Sequence, residues 1–320
     1  VFHFPVSFSV RLSSLHLLLY SFILCPGNYP GHHFTYYFAF FVNTVKELNK
    51  KKSPVFYGIQ TNGTVIDEKW AEFLHENNFL VGLNLEANKF RKRPGGENSF
   101  YTILDTARLL EKHRVEFNIL TVLTGYCAEN IERIYSFFRF HRFGYLQFIP
   151  CLRPFGSTEK SELYMTPEQY GDFLIKLFNL YVKDYVRHQY VSIRQFDNWV
   201  RLYLGHPTEQ CGVKGHCSHQ FVSEANGNIY PCDFYCTDEY LLGNILETDF
   251  TQMERSQTAV NFIKESLVIP ERCKKCNLYP ICRGGGCKRT QQSEDYCKAY
   301  KKFFTACLPL FRVFINEKAQ

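Results

Sequence analysis

From Ser53 onward the apolar and polar positions follow two alternating periods. Val55–Ile59 is a short apolar run that predicts a strand, followed by the polar loop Gln60-Thr61-Asn62-Gly63-Thr64. Asp67–Asn78 carries Trp70, Phe73 and Leu74 at spacings of three and four, which predicts a helix. Phe79–Leu85 predicts the next strand, Ser99–Arg114 a helix with Ile103, Leu104, Ala107 and Leu110 on one side, and Val115–Val122 a further strand. A helix over Asn130–Phe143 and a strand over Tyr145–Ile149 continue the series. Strands and helices that alternate across short connections imply parallel strands joined by helical crossovers, hence an α/β fold with an open or closed β/α barrel. Thr166-Pro167-Glu168-Gln169 predicts a well-started helix, with Thr166 as cap, Pro167 at the first helical position and Gln169 reaching back. That helix runs to about Val186, and a shorter one covers Gln195–Leu204. Beyond Gly205 long apolar periods give way to Cys and Gly, which places a domain boundary between residues 40–205 and residues 206–320.

Residues 1–39 stand apart. The first acidic residue is Glu47, only Arg11 and Lys46 are formally basic before it, and the chain begins with Val. Leu12–Cys25 resembles the apolar part of a secretory signal, but it contains Ser13, Ser14 and His16 and no small-x-small cleavage site follows. It is also too short and too polar for a membrane span. Across the whole chain the apolar content of 45% supports a sizeable core without help from cysteines. The net charge of +6 is dispersed, with Lys50-Lys51-Lys52 and Lys274-Lys275 as the only short runs. No nucleic-acid surface is expected from so thin a pattern.

Cysteine usage changes the picture. Ten of the thirteen cysteines lie between Cys211 and Cys307. Asn226-Gly227 predicts a hairpin turn within Phe221–Tyr230, which would bring Cys217 and Cys232 to one end, within reach of Cys211. Cys273-x2-Cys276 is a metal-binding spacing, Cys282 follows it, and Cys287 comes after Arg283-Gly284-Gly285-Gly286, where glycine lets backbone pass close to a bulky group. Cys297 comes last, just before an aromatic helix at Tyr300–Phe304. Such thiolates suit an iron–sulfur cluster or zinc, and in an oxidising compartment they would form disulfides. Cys25, Cys127, Cys151, Cys236 and Cys307 read as spare buried thiols.

The order Cys217-x9-Gly227-x4-Cys232, then Cys273-x2-Cys276-x5-Cys282-x4-Cys287 and Cys297, resembles the SPASM domain of radical S-adenosylmethionine enzymes. Within that group the chain resembles anaerobic sulfatase-maturating enzymes through Ile59–Thr64, Val115–Thr121, Leu146–Pro150 and Tyr230–Tyr235. The resemblance implies a partial radical SAM β/α barrel followed by a small Cys-rich SPASM domain with a β-hairpin, Fe–S loops and a C-terminal helix. It implies two auxiliary 4Fe–4S clusters, one on Cys211, Cys217, Cys232 and Cys287, the other on Cys273, Cys276, Cys282 and Cys297. The reaction it implies is oxidation of a sulfatase Cys or Ser to formylglycine, with a 5′-deoxyadenosyl radical taking the β-hydrogen. Asp233 matches the base, Gln60 and Asn62 match a ligand-contacting loop at the end of a barrel strand, and an electron leaves through the auxiliary clusters. The expected partners are a sulfatase or other peptide substrate and an electron donor or acceptor protein, and the expected location is cytoplasmic.

Against that pattern the sequence departs in one region. The Cys-x3-Cys-x2-Cys motif of the radical cluster is absent, since Cys25 is the only cysteine before Cys127. S-adenosylmethionine and a third 4Fe–4S cluster are therefore expected only in an intact relative. Cys25-Pro26-Gly27-Asn28-Tyr29-Pro30 stands where a Gly-Gly-Glu-Pro loop belongs, Asn84 and Glu86 replace Ser and Asp, and the loop Glu86–Gly96 is short. Val1 to Phe38 is expected to be a truncated or out-of-frame start. The loop from Cys282 to Cys287 has one glycine more than the resemblance implies, expected to bulge outward. Alternatives are a non-catalytic Fe–S relay, another peptide-modifying SPASM enzyme, or a zinc module for peptide recognition.

Overall fold

The computed structural model describes residues 6–12, 15–21, 32–85, 98–154, 157, 159, 161–291 and 293–315. The expectations about Cys25–Pro30 and the loop Glu86–Gly96 lie outside these residues. The strands are β1 (Val6–Leu12), β2 (Leu15–Ser21), β3 (Val55–Thr61), β4 (Phe79–Asn84), β5 (Glu116–Leu123), β6 (Tyr145–Pro150), β7 (Ser192–Ile193), β8 (Val222–Ser223), β9 (Asn228–Tyr230) and β10 (Gly243–Asn244). The chain folds as two compact units that interleave along the sequence, residues 1–119 with 219–260 and residues 120–218 with 261–320.

In the first unit the strands follow the order β10-β9-β8-β2-β1-β3-β4. β3 and β4 are parallel, with Gln60 opposite Gly82, and the helix Glu68–Glu76 makes the crossover. Asp67 caps that helix by accepting the Trp70 N–H at 2.9 Å. Of the three positions expected on its apolar side Trp70 and Leu74 are buried and Phe73 is half-buried, with Ala71 buried beside them. The helix Phe100–Lys112 buries Ile103, Leu104, Ala107 and Leu110, the four positions read from the sequence. β1 lies antiparallel to both β2 and β3, and β2 is parallel to β8. No element was expected before Ser53, yet Val-Ser-Phe-Ser-Val-Arg-Leu at residues 6–12 alternates with period two, the pattern of a strand. A helix, His32–Leu48, follows β2.

The second unit is built on the helix Pro167–Val186. Its start is the capping box expected from Thr166-x-x-Gln169: Gln169 N–H donates to Thr166 Oγ1 at 3.1 Å, and Thr166 N–H donates to Gln169 Oε1 at 2.9 Å. β6 and β7 pair in parallel beside it. The helix expected over Asn130–Phe143 is present as Ile131–Phe140, and a short helix that was not expected, Gly125–Glu129, precedes it, capped by Thr124 and ended at Asn130. An aromatic core joins the long helix to the helices Arg194–Tyr203 and Glu294–Cys307 and the turn Leu308–Phe314. Phe178 stacks on Phe311 at 4.7 Å between ring centroids and meets Phe303 edge-on at 5.5 Å. Phe178 is fully buried. Phe178→Ala is expected to cost about 3–5 kcal/mol, read as a lower denaturation midpoint in urea with an unchanged slope.

Candidate iron–sulfur sites

One cavity of the second unit is lined by Cys273, Cys276, Cys282 and Cys297, together with Arg272, Leu278, Tyr279, Gly284 and Lys301. Short turns bring these thiols together. Cys276 N–H donates to Cys273 O at 3.2 Å, Tyr279 N–H to Cys276 O at 3.0 Å, and Cys282 N–H to Leu278 O at 2.8 Å. Cys297 arrives from a distant element. It sits in the helix Glu294–Cys307 rather than before it, because Ser293 Oγ accepts the Tyr296 N–H and starts the helix earlier than its aromatic run suggests. Burial raises the Cys273 thiol pKa, Arg272 opposes that, and the neighbouring Cys297 and Cys276 add to it. Cys282 is pushed up to about 11 by burial, eased by the Gly285 N–H, and raised by Cys273, Cys297 and Cys276. Cys273 and Cys282 thus resist ionising as bare thiols, and cations bound beside them would reverse that.

The donor set, four cysteines lining one cavity, is of the kind that holds an iron–sulfur cluster. Among the described residues no disulfide is formed. Arg272 and Lys301 place positive charge beside the thiols. Sequence reading missed both, although Lys301 stands one helical turn after Cys297.

The segments that carry Cys211, Cys217 and Cys287 come together in the same unit around residues 286–288. The helix Cys211–Lys214 lies against the glycine loop, so closely that a Cβ on Gly286 would stand 1.8 Å from the Gly212 carbonyl oxygen. Cys217 is buried, its N–H donates to Ser266 Oγ at 2.9 Å, and the Lys288 N–H reaches its sulfur. Burial raises the Cys217 pKa against the pull of the Lys288 N–H and Ser266. Lys288 pairs with Glu265 and lies over the Phe262 ring at 4.9 Å. Arg283, at φ 48°, donates through Nη1 to Lys214 O at 3.2 Å. The glycine loop does not bulge outward as expected. Gly284, Gly285 and Gly286 all have positive φ, which curls the loop inward until Gly285 and Gly286 are buried.

Cys232 stands in the first unit, at the end of the hairpin β8–β9. Gly227 turns that hairpin at φ 84°, as Asn226-Gly227 predicts, and Phe221, Ile229, Leu242, Met253 and Ala259 form the core beneath it. The Cys232 thiol donates to Asp233 Oδ1 at 3.1 Å, and the same oxygen accepts the Phe234 N–H at 3.0 Å. Asp233 is exposed. Cys236 points its thiol at the Cys232 carbonyl at 3.7 Å, and its pKa is pushed up to about 12 by burial and by Glu224 and Asp233. Cys236, expected as a spare buried thiol, is only partly buried. Gln60 is exposed at the carboxyl end of β3, and Asn62 Oδ1 accepts from the Thr64 N–H and hydroxyl at 3.1 and 2.9 Å. Asn84, at the end of β4, is buried.

Comparison with known proteins agrees with this geometry. The SPASM iron–sulfur cluster-binding domain matches residues 215–277. The cysteine-type anaerobic sulfatase-maturating enzyme of Clostridium novyi is 42% identical over 278 residues, covering 82% of this chain and 74% of that protein. The serine-type enzyme of Bacteroides thetaiotaomicron is 31% identical over 280 residues, covering 78% of this chain and 67% of that protein. The solved structure of native anSMEcpe with bound AdoMet and Cp18Cys peptide superposes with a TM-score of 0.84 at 36% identity, covering 88% of this chain and 82% of that one. The fold is thus that of a radical SAM protein with a SPASM domain. The chain belongs to the family of anaerobic sulfatase-maturating enzymes.

Proposed function

We propose that the chain supplies the electron-accepting side of formylglycine formation on a sulfatase or related peptide. Cys273, Cys276, Cys282 and Cys297 would hold one auxiliary 4Fe–4S cluster, and their meeting at one cavity is the observation that carries the reading. Cys211, Cys217, Cys232 and Cys287 would hold the other; Cys232 joins this set by its place in the cysteine order. Clusters held by these thiols would supply redox capacity for the electron given up by the substrate. Asp233 would take the accompanying proton, and its exposed carboxylate leaves it open to a substrate. Gln60 and Asn62 would contact S-adenosylmethionine from the end of β3, where α/β folds gather ligand contacts.

The electron would pass to an electron-carrier protein in a reducing, cytoplasmic compartment, where the thiols stay reduced. Among the described residues no helix is long and apolar enough to cross a membrane. One feature favours a second reading, a non-catalytic Fe–S relay: residues 1–126 hold a single cysteine and so no radical-cluster motif.

The test gives the anaerobically reconstituted chain S-adenosylmethionine, a strong reductant and a sulfatase-derived cysteine peptide. The expected outcome is that the peptide binds, no 5′-deoxyadenosine forms, and Asp233→Asn leaves the iron content unchanged. Failure to bind the peptide would overturn the substrate assignment. Formation of 5′-deoxyadenosine would eliminate the relay reading.

A further inference from the structure

We propose that Asn198 is a positioning residue that fixes the backbone ahead of Cys211 before any metal arrives. The inference rests on the reading of Cys211 as a cluster ligand for its functional meaning, and on the hydrogen bonds of the second unit for its physical basis.

The helix Arg194–Tyr203 has two faces. Phe196 and Trp199 enter the aromatic core, where Trp199 meets Phe303 at 5.0 Å and Phe196 meets Phe178 at 5.0 Å. Arg194, Asn198 and Arg201, spaced by four and then three residues, share the other face and hold the segment that leads into Cys211. Arg201 Nε donates to Pro207 O at 2.9 Å. Arg194 grips both carboxylate oxygens of Glu209, through Nε at 3.0 Å and Nη2 at 3.1 Å, and reaches Gln147 Oε1 with Nη1 at 3.1 Å.

Asn198 lies between these two arginines and is only 2% exposed. Its Oδ1 accepts the N–H groups of both Glu209 and Gln210 at 2.9 Å. Its Nδ2 donates to Arg194 O at 2.8 Å and to Glu209 Oε1 at 3.1 Å. A side-chain amide has two N–H donors and two carbonyl lone pairs, so the capacity of Asn198 is fully used. The two amides immediately before Cys211 are thus tied to a buried side chain, while Gly212, immediately after it, is wedged against Gly286. Cys211 is held on both flanks by the fold. A ligand fixed in this way loses little freedom on binding, whereas a loose one must be ordered at the expense of metal affinity.

The experiment uses the 320-residue chain with Asn198→Ala, with Asn198→Asp, with Asn198→Asp combined with Glu209→Gln, and with Cys211→Ala as control. In the metal-free chain, the alkylation rate of Cys211 is followed by mass spectrometry of the modified peptide. In the anaerobically reconstituted chain, the readouts are iron retained under chelator challenge and the reduction potential followed by electron paramagnetic resonance.

With far-UV circular dichroism unchanged, Asn198→Ala is expected to speed Cys211 alkylation about tenfold and to weaken retention of the first cluster about 10–100-fold. Asn198→Asp keeps the acceptor but sets a carboxylate against Glu209, so it is expected to show a similar defect. Adding Glu209→Gln restores a donor at that contact, while the contact with Arg194 O stays unpaired, so it is expected to return the alkylation rate part of the way toward the parent value. A folded Asn198→Ala chain with parent alkylation and parent iron retention would overturn the inference. Should Asn198→Ala fail to fold, the aspartate pair decides: rescue by Glu209→Gln supports the positioning role, and absence of rescue overturns it. If Cys211→Ala keeps all its iron, the ligand reading of Cys211 fails, and the alkylation rates still judge the effect of Asn198 on the backbone.

Discussion

Gly286→Val is expected to be the most damaging single substitution outside the aromatic core. Gly286 sits at φ 74° and ψ −39°, and the Cys287 N–H donates across it to Gly285 O at 2.9 Å. This three-residue turn of positive φ is a strained conformation that side chains disfavour. The left-handed side of φ alone costs a side chain about 1–2 kcal/mol. A Cβ here would also stand 1.8 Å from Gly212 O and 3.1 Å from the Val213 Cα, both backbone atoms that cannot swing aside. Forcing them apart adds about 1–3 kcal/mol or more. The sum, roughly 2–5 kcal/mol, is a large share of the 5–15 kcal/mol that holds a domain folded. Because the displaced segment carries Cys211, the loss should include function. The expected readouts are a lower denaturation midpoint and loss of about four iron atoms per chain after reconstitution, the content of one cluster. Gly284, whose φ of 73° is paired with a ψ of 19°, should tolerate Asn far better, since Asn visits that region readily.

The second large effect concerns the other cavity. Cys282→Ala is expected to remove one cluster and leave the first set loaded, so that iron falls from about eight to about four per chain. Cys282 is linked electrostatically to Cys273, Cys276 and Cys297, so its removal leaves three thiols around a cavity shaped for four. Cys236→Ala is the matched control. Its sulfur lies 3.7 Å from the Cys232 carbonyl oxygen and it belongs to neither proposed ligand set, so its loss should leave the iron count unchanged. Iron analysis of the three chains after desalting decides between four ligands and a looser arrangement. A Cys282→Ala chain that keeps its full iron would remove Cys282 from the ligand set.

Much of this architecture is legible in the chain because the signals are local. The capping box at Thr166 and Gln169, the Asp67 cap, the Asn226-Gly227 turn and the buried stripe Ile103, Leu104, Ala107 and Leu110 each depend on residues within a turn or two. The grouping of Cys273, Cys276 and Cys282 is legible for the same reason. What escaped depends on contacts between distant segments. The glycine after Cys282 looks like an outward bulge until Gly212, more than seventy residues earlier, is found against it. Arg194, Asn198 and Arg201 carry no apolar period, and what their face holds is a loop with no periodicity of its own. Ser266, which receives the Cys217 N–H, carries no signal at all. The strand Val6–Leu12 is legible in its period-two alternation, Val-Ser-Phe-Ser-Val-Arg-Leu.

The most direct test of the account is iron, acid-labile sulfide and zinc analysis of the anaerobically reconstituted chain, with its electron paramagnetic resonance spectrum after reduction. Two clusters on eight thiols give about eight iron and eight sulfide per chain and no stoichiometric zinc, with signals of two reduced 4Fe–4S centres. Zinc bound without sulfide, in the parent chain and in Cys282→Ala alike, would contradict it.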